Sequence, residues 1–583
     1  AQYGSTKLRF PLFPDSPVTE FDTLILRGGV NRSYAGYIDA VDYTQVTYTR
    51  DEWMRASQIA MSGLGSHGLF VHLYLNGLYW GLYNLVERPD ISFTTAYLGG
   101  QEQDWFAIKH GATILNPDEV AQGAEMEFKI GEEIGGSNER YETMLRLLDE
   151  GGLADPERYA TMKTYVDTAQ FSDYIILNMV AGNRDWGDNN WYIGMQNPAG
   201  TLKYFEWDGE QVWFDGASLY LGKPTAHHKM RPLFLALMEN PDFRMAFADR
   251  LYTHLFNDGA LSEARAQARW LEINRPIEQA IVGESARWGD TRYPDDPIDR
   301  DDWVRARDGV LKQMAGNGDR LIALAREAGY YPPLDPPEFN HPGGRVTPGL
   351  ALTLTAPQGV IYYTTNGSDP REAVTEAIAP AAQAYTGPLT LITTTHLMAR
   401  ALAGDPDSTP PVWSALHEAT FRVVDSTAQL QITEIMYNPT GGSDYEFIEL
   451  KNTGQLSLDL STMTFSGISY TFPPYTEPLR PGQIIVLASN ATAFAERYPD
   501  VLVHGVYDGQ LANQGEEIHL LDDGGKIIVS IAYDDEAGWP VSPDGRGDSL
   551  VLADPAGDPN APQSWRASCQ VNGSPGSDDP PGP

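Results

Sequence analysis

Length and charge set the first limits on this sequence. The chain has 583 residues, of which 42% are hydrophobic, and its formal net charge is −38. This length predicts about three or four domains, and an acidic surface repels nucleic-acid phosphates, so we expect no nucleic-acid partner. No run of about 18 apolar residues occurs, so no membrane span is predicted. The single cysteine, Cys569, excludes a disulfide within the chain.

The first 330 residues mix strand and helix patterns. Residues 70–87 predict a β-hairpin, because the stretch before Asn76-Gly77 alternates apolar and polar side chains and Asn-Gly is a strong turn signal. Apolar residues at helical spacing predict helices farther along the chain. These helical stretches are 231–257, 262–282 (which Pro276 breaks or kinks) and 300–329. The region is therefore predicted to be α+β.

The composition changes at residues 330–344, a Pro-rich stretch typical of a linker. Beyond it, short Thr- and Val-rich runs between Gly and Pro turns predict strands at regular spacing, the pattern of β-sandwiches. We therefore predict a multidomain protein, in which an α+β domain precedes two all-β, immunoglobulin-like sandwiches. The predicted boundaries are 1–332 for the first domain, 333–344 for the linker, 345–425 and 426–577 for the sandwiches, and 578–583 for a disordered tail.

Residues 183–210 gather carboxylates and amides around a second predicted hairpin. Two strand-like runs flank the turn at residues 197–200, so position 196 should face 201 and position 189 should face 208. Residues two apart in a strand share a face, so Asp208 and Glu210 are expected to point the same way.

This register would bring Asp185, one of the amides Asn189 and Asn190, Asp208 and Glu210 within a few ångströms of one another. Carboxylate and amide oxygens suit a hard cation such as Mg²⁺, with substrate phosphates completing its shell. The alternative is that these carboxylates only cap a turn and end a strand. The spacing by itself leaves both readings open.

The same segment resembles the CotH kinase family, atypical protein kinases related to a spore-coat protein. The resemblance extends over about residues 3–330. It is carried, in chain order, by YGSTKLRFPLF, LRGGVNRSY, HLYLNGLYWGLYNLVERPD, DWFAIKHG, NRDWGDNN, YFEWDGE, NPDFRMAFADR and ESARWGD. Several long matches in one order are far more specific than a single motif. The resemblance implies an atypical kinase-like domain that uses ATP with Mg²⁺ (or Mn²⁺).

The resemblance also assigns roles to residues of the hairpin. Asp185 falls on the family's catalytic Asp, Asn190 on a metal-binding Asn, and Asp208 on a metal-binding Asp. Glu210 stands where the family has a second Asp, which keeps the charge but adds one methylene. Asn189 stands where the family often has His. These two departures from the family pattern are compatible with a pseudokinase, a kinase-like domain without catalytic activity.

Three further residues are candidates for contacts with the nucleotide. Lys109 and Glu87 match a phosphate-contacting Lys and its acidic partner. Arg55 could contact a phosphate, because a guanidinium fork suits phosphate oxygens. The alternative is an ordinary surface Lys at a strand end and an ordinary Arg on a helix surface.

Two further resemblances concern the β-rich part of the chain. Residues 345–422 resemble the β module at the C-terminus of chitobiases, through VIYYTTNGSDPR, AYTGPLTL and THLMARAL. Residues 428–577 resemble the lamin-tail domain, through LQITEIMYNPT, DYEFIELKNTG, LRPGQIIVLA and LANQGEEIHLLDDGG. The combination implies a secreted or surface-exposed bacterial protein. The chain begins at Ala1, inside the kinase-like pattern and without a signal segment, as in a processed chain or a fragment.

Two readings of different classes follow. In the first, the protein is a secreted kinase that transfers phosphate from ATP to Ser or Thr of extracellular or coat proteins. In the second, it is a catalytically silent component of a surface or matrix, in which exposed strand edges pair into an oligomer or filament. Carbohydrate binding by the middle module is a minor third reading. Binding of Mg²⁺ and nucleotide at the acidic hairpin separates the first two.

Overall fold

The computed structural model describes the chain in eleven stretches: residues 7–29, 32–36, 42–110, 126–130, 138–187, 190–222, 230–404, 412–423, 430–474, 476–522 and 524–580. The chain forms two compact units. Unit 1 comprises residues 1–342, 354–386 and 398–418, and unit 2 comprises residues 343–353, 387–397 and 419–583. Within the described stretches, no helix is both long enough and apolar enough to span a bilayer.

Helices are concentrated in unit 1. In chain order they are α1 (Arg50–Ser62), α2 (Ile91–Leu98), α3 (Glu139–Asp149), α4 (Pro156–Lys163), α5 (Thr168–Val180), α6 (Met230–Leu237), α7 (Pro241–Leu255), α8 (Glu263–Asn274), α9 (Ala280–Trp288), α10 (Arg300–Met314) and α11 (Asn317–Glu327). Helix α12 (Ala491–Arg497) lies in unit 2.

Three sheets accompany these helices in the N-terminal part of unit 1. Their strands are β1 (Leu8–Arg9), β2 (Glu20–Phe21), β3 (Leu24–Arg27), β4 (Gly68–Leu75), β5 (Leu78–Glu87), β6 (Trp105–His110), β7 (Met126–Ile130), β8 (Trp191–Gln196) and β9 (Lys203–Glu206). The strand orders are β1-β2, β3-β5-β4 and β7-β6-β8-β9.

Both predicted hairpins are present. Strands β4 and β5 pair next to the turn at Asn76 and Gly77, whose φ angles of 52° and 82° are left-handed, as a two-residue hairpin turn requires. Strands β8 and β9 pair Trp191 with Glu206 and Gly194 with Lys203. This is the register that the sequence predicts.

The helix predicted over 231–257 is two helices, α6 and α7. The side chain of Asn240 accepts hydrogen bonds from the backbone N–H groups of Asp242 and Phe243, at 2.9 and 3.3 Å. Pro241 occupies the first turn, where its missing N–H costs nothing. A complete N-terminal cap thus interrupts the apolar stripe, and Pro276 lies in the predicted break between α8 and α9.

Helix α5 forms the centre of unit 1. Every residue from Gln170 to Val180 is buried. The helix packs against α1, α7 and β9. Its C-terminal end leads directly into the segment that carries the predicted acidic site, so the start of that segment is anchored in the core.

Further strands lie between residues 338 and 423, some in unit 1 and some in unit 2. They are β10 (Glu338–Phe339), β11 (Gly344–Val346), β12 (Leu350–Leu352), β13 (Leu354–Thr355), β14 (Val360–Thr364), β15 (Gln383–Ala384), β16 (Leu389–Leu391), β17 (Thr395–Ala403), β18 (Val412–Trp413) and β19 (His417–Val423). In unit 1, β10 pairs with β13, and β14 pairs with both β15 and β17. The Pro-rich stretch itself buries Tyr331 and Leu334.

Two arginines from this β-rich part are bound to helix α7, all within unit 1. Arg371 pairs with Asp242 at 2.8 Å. Arg400 pairs with Asp249 at 2.7 Å and with Asp369 at 2.6 Å. Asp242 and Asp249 lie two helical turns apart, so they fall on one face of α7.

In the described residues of unit 2 from 430 onward, two sheets surround a shared apolar core. The strands are β20 (Leu430–Met436), β21 (Phe447–Asn452), β22 (Thr464–Ser466), β23 (Ile484–Ala488), β24 (Val503–Val506), β25 (Glu516–Leu521), β26 (Ile527–Tyr533), β27 (Leu550–Leu552) and β28 (Trp565–Ala567). Their orders are β24-β23-β21-β20-β27-β28 and β22-β25-β26. Residues of both sheets, such as Ile448 and Ile518, belong to one buried cluster. The predicted fold class, α+β followed by β-sandwich modules, is confirmed.

Candidate functional site

The predicted acidic site lies at the ends of strands β8 and β9. Asn190, just before β8, and Asp208, two residues after β9, have φ angles of 62° and 59°. Asn and Asp are the residues other than Gly that most readily adopt this left-handed conformation. Both positions are therefore bent sharply out of the hairpin where it ends.

Asp208 and Glu210 belong to a tight turn and not to a strand. The backbone N–H of Glu210 donates to the carbonyl oxygen of Asp208 at 2.9 Å. Strand β9 ends at Glu206, because the left-handed backbone of Asp208 cannot continue a strand. The expectation that the two carboxylates share a strand face is therefore wrong.

Asp185 and Asn190 are in direct contact. The side-chain amide of Asn190 donates to the Asp185 carbonyl oxygen at 2.8 Å and to its carboxylate Oδ2 at 3.0 Å. Asn190 is buried, whereas Asp185 is half-buried. The amide thus orients a carboxylate that still reaches the surface. Asp188 and Asn189, between them, lie outside the described residues.

A buried chain of amides supports Asp185 from the core. The backbone N–H of Asp185 donates to Asn183 Oδ1 at 3.0 Å, and Asn183 Nδ2 donates to Asn178 Oδ1 at 2.8 Å. Asn178 in turn donates to the carboxyl group of Glu206. Burial raises the pKa of the Glu206 carboxyl well above its ordinary value, because the charged form is poorly solvated there. The chain links the end of α5 to both strands of the hairpin.

Asp208 is paired with an arginine that sequence reasoning did not identify. The Nη2 atom of Arg27 donates to Asp208 Oδ1, and its Nε lies 3.2 Å from Asp51 Oδ2. The guanidinium also lies over the ring of Trp207, at 4.7 Å from the centroid. Burial alone would lower the pKa of Arg27, but Asp51, Asp208 and Glu210 raise it above its ordinary value. Arg27 is therefore a permanent cation among three carboxylates.

The donor atoms suit a divalent cation with phosphate ligands. No cluster of three or more His, Cys, Asp or Glu side chains in the described part of the chain could hold a metal ion by itself. Mg²⁺, however, commonly takes one or two carboxylates and completes its shell with phosphates and water. The carboxylate of Asp208, which is 34% exposed, and the side-chain oxygen of Asn190 are oxygen ligands of the kind that Mg²⁺ takes. A cation bound at Asp208 would take over the role that Arg27 has in this structure.

Glu87 is buried in a polar cluster. Its Oε2 accepts from the backbone N–H of His67 at 2.9 Å and lies 2.9 Å from His67 Nδ1. The hydroxyl of Tyr97 donates to the same carboxylate at 2.9 Å. Lys109 lies on β6, where its backbone is opposite Tyr192 of β8. The Lys109 side chain lies outside the described residues, so its predicted pairing with Glu87 stays a prediction.

Arg55 is completely buried, and protein groups satisfy its charge. It pairs with Asp51 and, at 2.5 Å each, with Glu52 and with the side-chain oxygen of Asn84. Asp51 thus lies between Arg55 and Arg27. The spacing of Asp51 and Arg55, four residues apart on α1, is a sequence signal that could have identified this pair. No spacing rule in the sequence predicts the contact between Asp51 and Arg27.

Gly182 allows the segment before Asp185 to pass close to a neighbouring loop. Its φ is +59°, and a Cβ atom added there would lie 2.0 Å from the carbonyl oxygen of Gly216. Gly182→Ala is therefore expected to lower the free energy of unfolding by about 1–3 kcal/mol, measured by urea denaturation. The matched control is Gly309→Ala inside helix α10, where a Cβ meets nothing within 4 Å. Equal stability of the two variants would contradict this account.

Three family models match successive parts of this multidomain chain. Residues 59–313 match the model of the CotH kinase protein, residues 341–412 the chitobiase/beta-hexosaminidase C-terminal domain, and residues 424–535 the Lamin Tail Domain. The predicted domain composition is confirmed. The kinase-like fold of the first region is thereby supported.

No curated protein matches the chain. Among solved structures, the N-terminal part of the bacterial S-layer protein SbsC is similar at 10% identity, over 76% of this chain and 95% of that chain, with a TM-score of 0.10. A score this low carries no argument about fold or function.

Proposed function

We propose that the protein is a secreted or surface-exposed atypical kinase, which transfers the γ-phosphate of ATP to Ser or Thr of extracellular or coat proteins. The observation that carries this proposal is the Asp185 carboxylate, oriented by Asn190 at the end of the hairpin that also presents Asp208. All three residues lie inside the region that matches the CotH kinase protein.

The chain's own residues have distinct roles in this proposal. Asp185 accepts a hydrogen bond from the acceptor hydroxyl and takes its proton, and Asn190 fixes the direction of that carboxylate. Asp208, Asn190 and Glu210 hold Mg²⁺ or Mn²⁺, and Lys109 contacts phosphate. The cation, when bound, neutralises charge on the phosphates of ATP. Arg27 neutralises Asp208 when no cation is present.

One observation favours a second function. Arg27 already supplies the counter-charge for Asp208 and lies between it and Asp51, so the carboxylates are satisfied without metal. A kinase-like domain stabilised in this way can act as a scaffold. The protein would then be a catalytically silent component of a surface or matrix, assembled as a homo-oligomer or filament through its β modules.

A thermal-shift titration with ATP separates the two functions. Ligand at about 100 times its dissociation constant stabilises the native state by roughly 2.7 kcal/mol. We expect such a shift for the full chain with ATP and Mg²⁺ or Mn²⁺, and we expect Asp208→Ala to abolish it. The matched control is Asp301→Ala, whose carboxylate is 73% exposed on helix α10. A folded chain that shows no metal-dependent shift would favour the scaffold.

A further inference from the structure

Arg50 is a buried cation that no carboxylate neutralises. It is 4% exposed at the first position of helix α1. Its guanidinium donates to the carbonyl oxygens of Val212 and Gln45, and its Nε has no hydrogen-bond partner. Among the residues that the structure describes, no acidic side chain forms an ion pair with it. A buried charge without a counter-charge is costly, and an anionic ligand would supply what is missing.

Other guanidinium groups surround the same position. Arg32, Arg50 and Arg184 lie over the ring of Phe214, at 4.6, 4.2 and 5.8 Å from its centroid. Arg184 also pairs with Asp215. Burial, and then the charge of Arg32, lower the pKa of Arg50 to about 9. Positive charge is thus concentrated here, in a chain whose net charge is −38.

Arg50 and Arg32 line a cavity of about 30 Å³. Gly28 and Gly29 form part of its wall, and Gly29 has a left-handed φ of +63°. This volume holds on the order of two water molecules, which excludes a larger organic group. The opposite wall carries Asp51 and Glu210, beside the acidic hairpin. The cavity therefore has a cationic side and an acidic side.

We propose that this cavity, the Arg50 pocket, binds a single phosphate group. A guanidinium presents several N–H donors in a fixed fork, which matches the oxygens of a phosphate. The phosphate comes either from free inorganic phosphate or from the end of a nucleotide's phosphate chain. The second source rests on the proposed kinase function, whereas the first does not.

The test is a titration of the full chain with inorganic phosphate at constant ionic strength, without metal or nucleotide. We expect a saturable rise in Tm for the unmodified chain. Arg50→Met should weaken the apparent affinity about tenfold or more, the loss expected for one charge-assisted hydrogen bond. Arg50→Lys keeps the charge but loses the forked guanidinium. Its apparent affinity for phosphate should lie between those of the unmodified chain and Arg50→Met.

Arg305→Met is the matched control, because its side chain is 70% exposed on helix α10 and lies outside the pocket. We expect it to bind phosphate as the unmodified chain does. The proposal is overturned if the unmodified chain shows no saturable shift. It is also overturned if the Arg50→Met and Arg50→Lys variants are folded and both bind phosphate with the affinity of the unmodified chain.

Competition between phosphate and ATP identifies the source. If ATP with Mg²⁺ displaces phosphate, the pocket holds the nucleotide's phosphate. If phosphate binds and ATP does not, the pocket stands as a free-phosphate site while the proposed kinase function fails. Asp208→Ala should lose the metal-dependent effect of ATP and keep the effect of phosphate, so the two proposals fail independently.

Discussion

Replacing Arg400 with alanine is expected to lower the free energy of unfolding of unit 1 by about 3–5 kcal/mol. Arg400 is 1% exposed. It donates to Asp249 at 2.8 and 2.7 Å, to Asp369 at 2.7 and 2.6 Å, and to the Ser414 carbonyl oxygen at 2.9 Å. Removing the guanidinium would leave Asp249, whose side chain is 19% exposed, and the more exposed Asp369 largely without a counter-charge, which is the costly way to break a buried ion pair.

Urea denaturation of the full chain, followed by tryptophan fluorescence, measures this effect. The control is Arg305→Ala, whose exposed ion pair with Asp302 should contribute less than about 1 kcal/mol. A second variant replaces Arg400, Asp249 and Asp369 together with apolar residues of similar size, and it should recover much of the loss because no charge stays buried. A single Arg400→Ala variant as stable as the control would refute the account.

Unit 2 is expected to become less stable as the pH rises from about 6.5 to 8.5. Glu434 and Glu449 lie opposite each other on strands β20 and β21, and both are buried. Burial raises the pKa of Glu434 to about 7. Burial and the neighbouring Glu434 raise the pKa of Glu449 to about 8. Each carboxyl thus prefers its proton in the folded state.

The sign of the effect follows from this preference. A group whose pKa is raised by folding contributes stability below its unfolded pKa, near 4.5, and that contribution is lost as the pH rises through the folded value. Glu446, whose pKa burial raises to about 7, acts in the same direction. His504, whose pKa burial lowers from 6.5, acts oppositely below that pH. The window above pH 6.5 therefore isolates the glutamates.

Glu449→Gln should flatten the pH dependence and stabilise unit 2 at pH 8.5, by an amount on the order of 2 kcal/mol. The measurement is urea denaturation at several pH values, with folded protein quantified from protease-resistant fragments of unit 2. Glu496→Gln, exposed on helix α12, is the matched control and should leave the profile unchanged. Stability that rises with pH in the unmodified chain would show that these carboxyls are ionised when folded.

Glu434 and Glu449 also accept hydrogen bonds from the backbone of residues 574–576. Glu434 Oε1 accepts from the backbone N–H of Ser574, and Glu449 Oε2 accepts from that of Gly576, both at 2.8 Å. The sequence predicts a disordered tail from residue 578, on the basis of Gly, Pro and Asp content. In the described part of that tail, Asp579 pairs with Arg566 at 2.5 Å, whereas residues 581–583 lie outside the described residues. The Gly, Pro and Asp content of this C-terminal segment does not reveal that the buried carboxyl groups of Glu434 and Glu449 accept hydrogen bonds from it.

Local features of the fold could be predicted from sequence, and distant pairings could not. The turn at residues 197–200 sets the register of its hairpin, and Asp185 and Asn190 are close because they are five residues apart. Arg27 and Asp208 are separated by 181 positions. Their contact depends on how β3 and the turn after β9 are placed by the whole of unit 1, and no spacing rule encodes that.

The attachment of Arg371 and Arg400 to helix α7 has a consequence for how this protein is divided. A fragment ending at residue 332, where the sequence predicts the end of the first domain, would keep Asp242 and Asp249 but lose both arginines. It would also lose the backbone N–H of Val374, which donates to Asp242 at 3.0 Å. In recombination between genes, a junction that separates the kinase-like domain from residues 354–386 and 398–418 would therefore remove these contacts.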